Sequence, residues 1–153
     1  MSRAAARPGR VLGVDPGTVR IGLAVCDPDR LVATPLTTVA AGTRAAAEIA
    51  AQAEDLGCVA VVVGLPRSLQ GRETDSTLMA RTLAEALAAA GLTVHLQDER
   101  LTSVQADRAL RAAGRTVKQS KEHKDKVAAS LLLQAWLDAD RSRRDAAPTR
   151  NEQ

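Results

Sequence analysis

Aromatic side chains are almost missing: there is no Phe, no Tyr, and Trp136 stands alone. Modules that read single strands by stacking bases need several exposed rings, so that class is disfavoured, and any nucleic acid bound here is held mainly by its backbone. No uninterrupted apolar run reaches the 18 or so residues of a membrane span, and the N-terminal MSRAAARPGR lacks the apolar centre of a secretory signal. A cytoplasmic protein with no membrane partner is expected. Cysteine is scarce as well. Cys26 and Cys58 lie in different apolar segments with neither CxxC nor paired-ligand spacing, which reads as two buried thiols rather than a disulfide or a zinc site.

What is present suits one globular domain. The chain has 153 residues, 45% hydrophobic and 25% charged, which is ordinary for a folded α/β protein and excludes fibrous or disordered classes. The net charge of +3 is unevenly placed. Residues 1–10 carry three Arg, residues 111–126 carry six Lys or Arg against Glu122 and Asp125, and residues 141–153 carry four Arg against two acids, which makes +9 in these parts and leaves −6 for the body. A basic segment on an acidic body suits a protein that grips phosphates in one place and needs carboxylates in another. Charge runs are also ordinary solvated loops and tails, so charge alone does not decide.

Along the chain, residues 1–9 and 141–153 read as flexible tails around a domain at 10–140. RVLGVD (10–15) and IGLAVCD (21–27) read as strands joined through the turn residues Pro16 and Gly17. LVATPLTTV (31–39) is a third strand, confined by Pro35 to an edge or a bulge. Thr43 to Leu56 has helical spacing with a Thr able to cap it, and CVAVVV (58–63) is the continuous apolar run of a strand covered on both faces. The loop GLPRSLQGRE leads to a helix from about residue 74 to 90, ended by Gly91, and then to the strand TVHLQ (93–97). Two helices close the domain, 103–113 and 124–139, separated by the basic loop GRTVKQSKEH. A leading hairpin followed by alternating strands and helices predicts a mixed five-stranded sheet, antiparallel over its first three strands and then parallel, flanked by helices.

Three acids stand out within this plan. Asp15 ends an apolar strand, where an unpaired charge is costly. Glu99, with Asp98 before it, sits just past TVHLQ. Asp125 shares a helical stripe with Ala128, Ala129, Leu132, Leu133 and Trp136, so it should face the sheet. If the first strand is central and TVHLQ lies beside it, all three meet at one sheet edge. There they would raise one another's pKa unless a divalent cation sat among them. Mg²⁺ fits an all-carboxylate set completed by substrate phosphate, with Mn²⁺ as a substitute, and two ions roughly 4 Å apart suit phosphodiester hydrolysis. Separately each acid has a plainer explanation: an Asp-Pro turn at 15, a salt bridge of Glu99 to Arg100, a helix-start preference at 125. Only their joint placement points to a metal site.

Together, VLGVDPGTVRIGLAVCD (11–27), VVVGLPRSLQG (61–71), DERLTSVQA (98–106) and KDKVAASLLLQAWLD (124–138) closely resemble the YqgF/RuvX family of pre-16S rRNA nucleases, also described as Holliday junction resolvases. Order and spacing match over about residues 10–139. The resemblance implies a ribonuclease-H-like fold with catalysis and metal binding from Asp15, Glu99 and Asp125. It further marks Thr18, Arg20, Arg67, Arg100 and Thr102 as substrate-facing or site-organising. One departure is Pro16, where the family commonly has an aliphatic residue; it leaves Asp15 in place.

The expected activity is Mg²⁺-dependent endonucleolytic cleavage that leaves a 3′-hydroxyl and a 5′-phosphate, the polarity that the fold resemblance implies. Arg72 with Arg67 in the GLPRSLQGR loop, and Arg115, Lys118, Lys121 and Lys124 in the basic loop, would clamp the phosphate backbone. His123, close to Asp125, is a candidate general base. Symmetric junction resolution would need a homodimer, whereas a monomer favours an RNA substrate. Two other classes compete. The D-x-G-T strand end also opens the phosphate loop of actin-like kinases, but those need two such domains. A non-catalytic ribosome-assembly factor could keep the fold without turnover.

Overall fold

A computed structural model describes residues 7–66, 70–99 and 117–146, the last stretch with side chains from residue 123 onward. Its elements are β1 (Arg10–Asp15), β2 (Arg20–Cys26), β3 (Ala33–Ala40), α1 (Ala45–Asp55), β4 (Cys58–Leu65), α2 (Asp75–Ala89), β5 (Thr93–Asp98) and α3 (Val117–Ala146). The five strands form one sheet in the order β3-β2-β1-β4-β5. Pairing is antiparallel between β1 and β2 and between β2 and β3, then parallel from β1 to β4 and β4 to β5. The expected mixed sheet is therefore present. One expectation of order is corrected: β5 does not lie beside β1, because β4 is inserted between them. An apolar strand such as β4, covered on both faces, gains most at the centre of a parallel sheet.

Side-chain alternation assigns each strand residue to a layer. Leu12 and Val14 of β1, Ile21 and Leu23 of β2 and Val61 and Val63 of β4 pack with Ile49 of α1 and Leu87 of α2. The opposite parity, Val11, Ala24, Ala60 and Val62, packs on Ala129, Leu133, Trp136 and Leu137 of α3. Each fully buried Val or Leu in these layers contributes about 1.5–3 kcal/mol. The sheet is thus sandwiched, with α1 and α2 on one side and α3 on the other.

Local chemistry explains most element ends. Pro35 falls on the edge strand β3, and the register slips there, with Leu23 opposite Thr37 and Ala24 opposite Pro35. Thr74 caps α2 in a reciprocal capping box with Thr77, whose buried hydroxyl also donates to the carbonyl of Pro66. The expected Thr cap of α1 is not made: the N-cap is Arg44, without a side-chain cap. Cys26 is buried and accepts a hydrogen bond from the Val11 amide at 3.2 Å, but Cys58 is only half-buried; both thiols are free.

α3 corrects two expectations. The basic segment expected as a loop is helical from Val117, since VKQSKEHKDK holds no Gly or Pro and is rich in helix formers. At the other end the expected tail boundary at 140 falls inside the helix. Asp140, whose side chain is 13% exposed, ion-pairs with Arg30 at 3.2 Å and Arg144 at 2.9 Å. The guanidinium groups of Arg30 and Arg143 lie over the Trp136 ring at 5.6 and 5.8 Å. These contacts carry the helix to Ala146. The expected helix at 103–113 lies outside the described residues.

Candidate active site

Parity along β1 puts Asp15 on the α3 face, in line with Val11. It pairs across the sheet with Gly22 of β2, and on its other side Val14 opposite Val63 leaves Gly64 of β4 as the next neighbour. Two residues without side chains therefore flank the acid. A Cβ at Gly22 would collide with the main-chain carbonyl of Asp125, so α3 seats its Asp125 turn directly on that gap. A Cβ at Gly64 would stand 2.7 Å from Oε1 of Glu99. The Glu99 carboxyl thus crosses the strand that separates β5 from β1, through space that only glycine leaves open.

Glu99 hydrogen-bonds to Asp15, the contact that holds the Asp15 carboxyl down and raises that of Glu99. Burial is the largest influence on both and pushes each above the ordinary carboxylate range; Asp125 raises Asp15 further, while Lys124 opposes. On Glu99 the hydrogen bond to Asp15 adds to burial, followed by the negative charges of Asp15 and Asp98. Both shifts disfavour the charged forms, as expected of close carboxyls withdrawn from water. Asp125, within electrostatic reach of Asp15, is turned to Arg20, whose Nε lies 3.1 Å from Oδ2. Among the described residues no three His, Cys, Asp or Glu side chains stand close enough, as placed, to hold a metal ion.

The donor set nevertheless fits a hard divalent cation. It is all carboxylate oxygen, Asp15 and Glu99 are buried against each other at the cost of raised pKa, and Gly22 and Gly64 clear the space beside them. The sequence reading grouped the three acids but missed both glycines. Their signal was present, since an isolated glycine inside a strand marks a bulge or a close approach.

The other expected site residues are dispersed. Thr18 is exposed on the β1–β2 turn and borders an apolar cleft of about 520 Å³ on the α1/α2 side, away from the α3 face. Arg72 is exposed ahead of α2, and Lys124 is exposed beside the acids. His123 is half-buried two residues before Asp125; such a step turns about 200° around a helix, so the two do not share a face. Lys118 and Lys121 lie on the first turns of α3, with side chains outside the described residues. Arg67, Arg100, Thr102 and Arg115 also lie outside them.

A mixed sheet with three antiparallel strands leading into two parallel ones, and acids gathered at the end of its central strand, defines the ribonuclease-H-like class. Solved structures agree on the fold. Thermus thermophilus RuvC in complex with a Holliday junction substrate superposes with a TM-score of 0.56 at 19% identity, covering 91% of this chain and 98% of that one. The fowlpox virus resolvase in complex with Holliday junction DNA gives 0.51 at 13% identity, covering 85% and 97%. Within that class the chain belongs to the RuvX family, described as Holliday junction resolvase, which it matches over residues 9–139. Relatives named "Putative pre-16S rRNA nuclease" include those of Mycolicibacterium paratuberculosis, 48% identical over 88% of this chain and 83% of the relative, and Leifsonia xyli, 46% identical over 89% and 90%.

Proposed function

We propose that this protein is a divalent-metal-dependent endonuclease that trims the 5′ leader of pre-16S rRNA in the cytoplasm. The observation that carries the reading is the carboxyl pair of Asp15 and Glu99, brought together across β4 by Gly64, with Asp125 seated over Gly22. Phosphodiester hydrolysis accords with the family match and with the names of relatives close to half identical in sequence.

Asp15, Glu99 and Asp125 would hold Mg²⁺ or Mn²⁺, which supplies Lewis acidity toward the phosphate. Asp15 is fixed by the strand, Glu99 by its passage over Gly64, and Asp125 by its helix, so the oxygens are positioned by three separate elements. Lys124, beside Asp15, offers a cation to an incoming backbone phosphate. With one Trp and no Phe or Tyr in the chain, grip on the substrate comes from phosphates rather than stacked bases.

A second reading, resolution of four-way DNA, has the family description and the RuvC fold behind it. Purified protein given labelled precursor rRNA and junction DNA side by side, with Mg²⁺ or Mn²⁺, separates the two. Cleavage confined to the rRNA is expected, from a monomer; symmetric junction cuts by a dimer would favour the other. Asp15→Asn and Asp125→Asn should abolish cleavage while largely sparing nucleic-acid binding, because a neutral amide is a poor Mg²⁺ ligand. Retained cleavage in both variants would sink the metal-site reading.

A further inference from the structure

We infer that Arg20 is an exchangeable counter-ion: in the metal-free protein it occupies Asp125, and on metal binding it is displaced and offers its guanidinium to a substrate phosphate. This inference rests on the proposed metal site and adds to it a residue that works by changing partners.

Three observations carry it. Arg20 Nε lies 3.1 Å from Asp125 Oδ2, joining residues 105 positions apart in the chain. Asp15 feels the charge of Asp125, yet the three acids as placed do not form a set able to hold an ion. The third carboxylate is instead engaged by Arg20. Finally, the main chain of Asp125 is pressed onto Gly22, two residues along the same strand from Arg20, so helix and strand cannot separate to break the pair. Only the side chains can rearrange.

Both are free to do so, with side-chain exposures of 30% for Arg20 and 28% for Asp125. A pair only partly buried still meets water, so a divalent cation can reach Asp125 and compete with Arg20 for it. The released guanidinium stays tethered at the first residue of β2, within one side chain's reach of Asp125. Its planar fork suits two oxygens of one phosphate. A fixed brace between α3 and β2 would make the opposite prediction, because removing a brace loosens Asp125 and weakens metal binding.

The test measures Mn²⁺ binding to the full-length protein without nucleic acid, from the free-ion electron paramagnetic resonance signal. Wild type, Arg20→Met, Arg20→Gln and Asp15→Asn are compared. Both Arg20 variants should bind Mn²⁺ roughly two- to fivefold more tightly, as expected for loss of a weak competing ion pair. In Ca²⁺ they should bind precursor rRNA more weakly, with a salt slope reduced by about one. Unchanged or weaker Mn²⁺ binding in the Arg20 variants, with the site intact in wild type and lost in Asp15→Asn, overturns the exchange and leaves the metal site standing. Equal Mn²⁺ binding by wild type and Asp15→Asn overturns the metal site and the exchange with it. Should the Arg20 variants fail to fold, the wild type still decides. Its assigned Arg20 Nε–H resonance should shift as Mg²⁺ is added, and a resonance that stays put while Mg²⁺ binds refutes the exchange.

Discussion

A methyl group added at position 64 would meet Glu99 Oε1 at 2.7 Å, the far end of a flexible side chain that can swing away. The fold should tolerate Gly64→Ala, but the carboxyl would be pushed off Asp15. Cleavage is expected to fall roughly 10- to 100-fold, as for catalytic groups displaced by about an ångström, with little change in melting temperature. The same methyl at position 22 meets the main chain of Asp125, which cannot swing. Gly22→Ala should therefore lower stability by about 1–3 kcal/mol or more in urea unfolding, with loss of activity following from displacement of α3. Matching melting temperatures for the two variants would contradict this account of the cradle. The acids were legible from the sequence because a charge at an apolar strand end, or in an apolar helical stripe, breaks a local pattern. The glycines were not read, since their role depends on which strand lies next to which.

Elements were easiest to read where one periodicity ran from end to end, as in β1, α2 and the central turns of α3. Order in the sheet was harder: TVHLQ was expected beside the first strand, and nothing in a strand's own residues says that β4 comes between. Helix ends misled where charge masked helix-forming composition, which is why 117–123 looked like a loop and 141–146 like a tail. The seam between α3 and β5 offers its own test. His95 stacks on Trp136 with ring centroids 4.9 Å apart. Burial lowers its pKa below the ordinary 6.5, Arg30 and Arg143 add to that, and Asp140 opposes. The unfolded chain therefore takes up this proton before the folded one does. Stability should decline as pH drops below 6.5 through the folded pKa and should not depend on this group above that range. Urea titrations of wild type and His95→Gln across the acid side of neutrality should show a shallower decline in the variant; parallel curves would remove His95 from the pH response.

At the scale of the whole molecule, the chain brings Asp15, Glu99 and Asp125 toward one sheet edge and carries its excess of positive charge in residues 1–10, 111–126 and 141–153. Binding of precursor rRNA should weaken on the order of 10²-fold between roughly 50 and 200 mM salt, as counterion release from several phosphates requires. A titration showing no salt dependence would mean that recognition does not run through the backbone. No helix among the described residues is long and apolar enough to cross a membrane. The seating of Asp125 over Gly22 also bears on synthesis. Asp125 leaves the ribosome more than a hundred residues after Asp15, so a growing chain cannot assemble its carboxyls until the long helix has emerged and docked. The site is thereby left without its third acid until translation has passed the whole of the sheet.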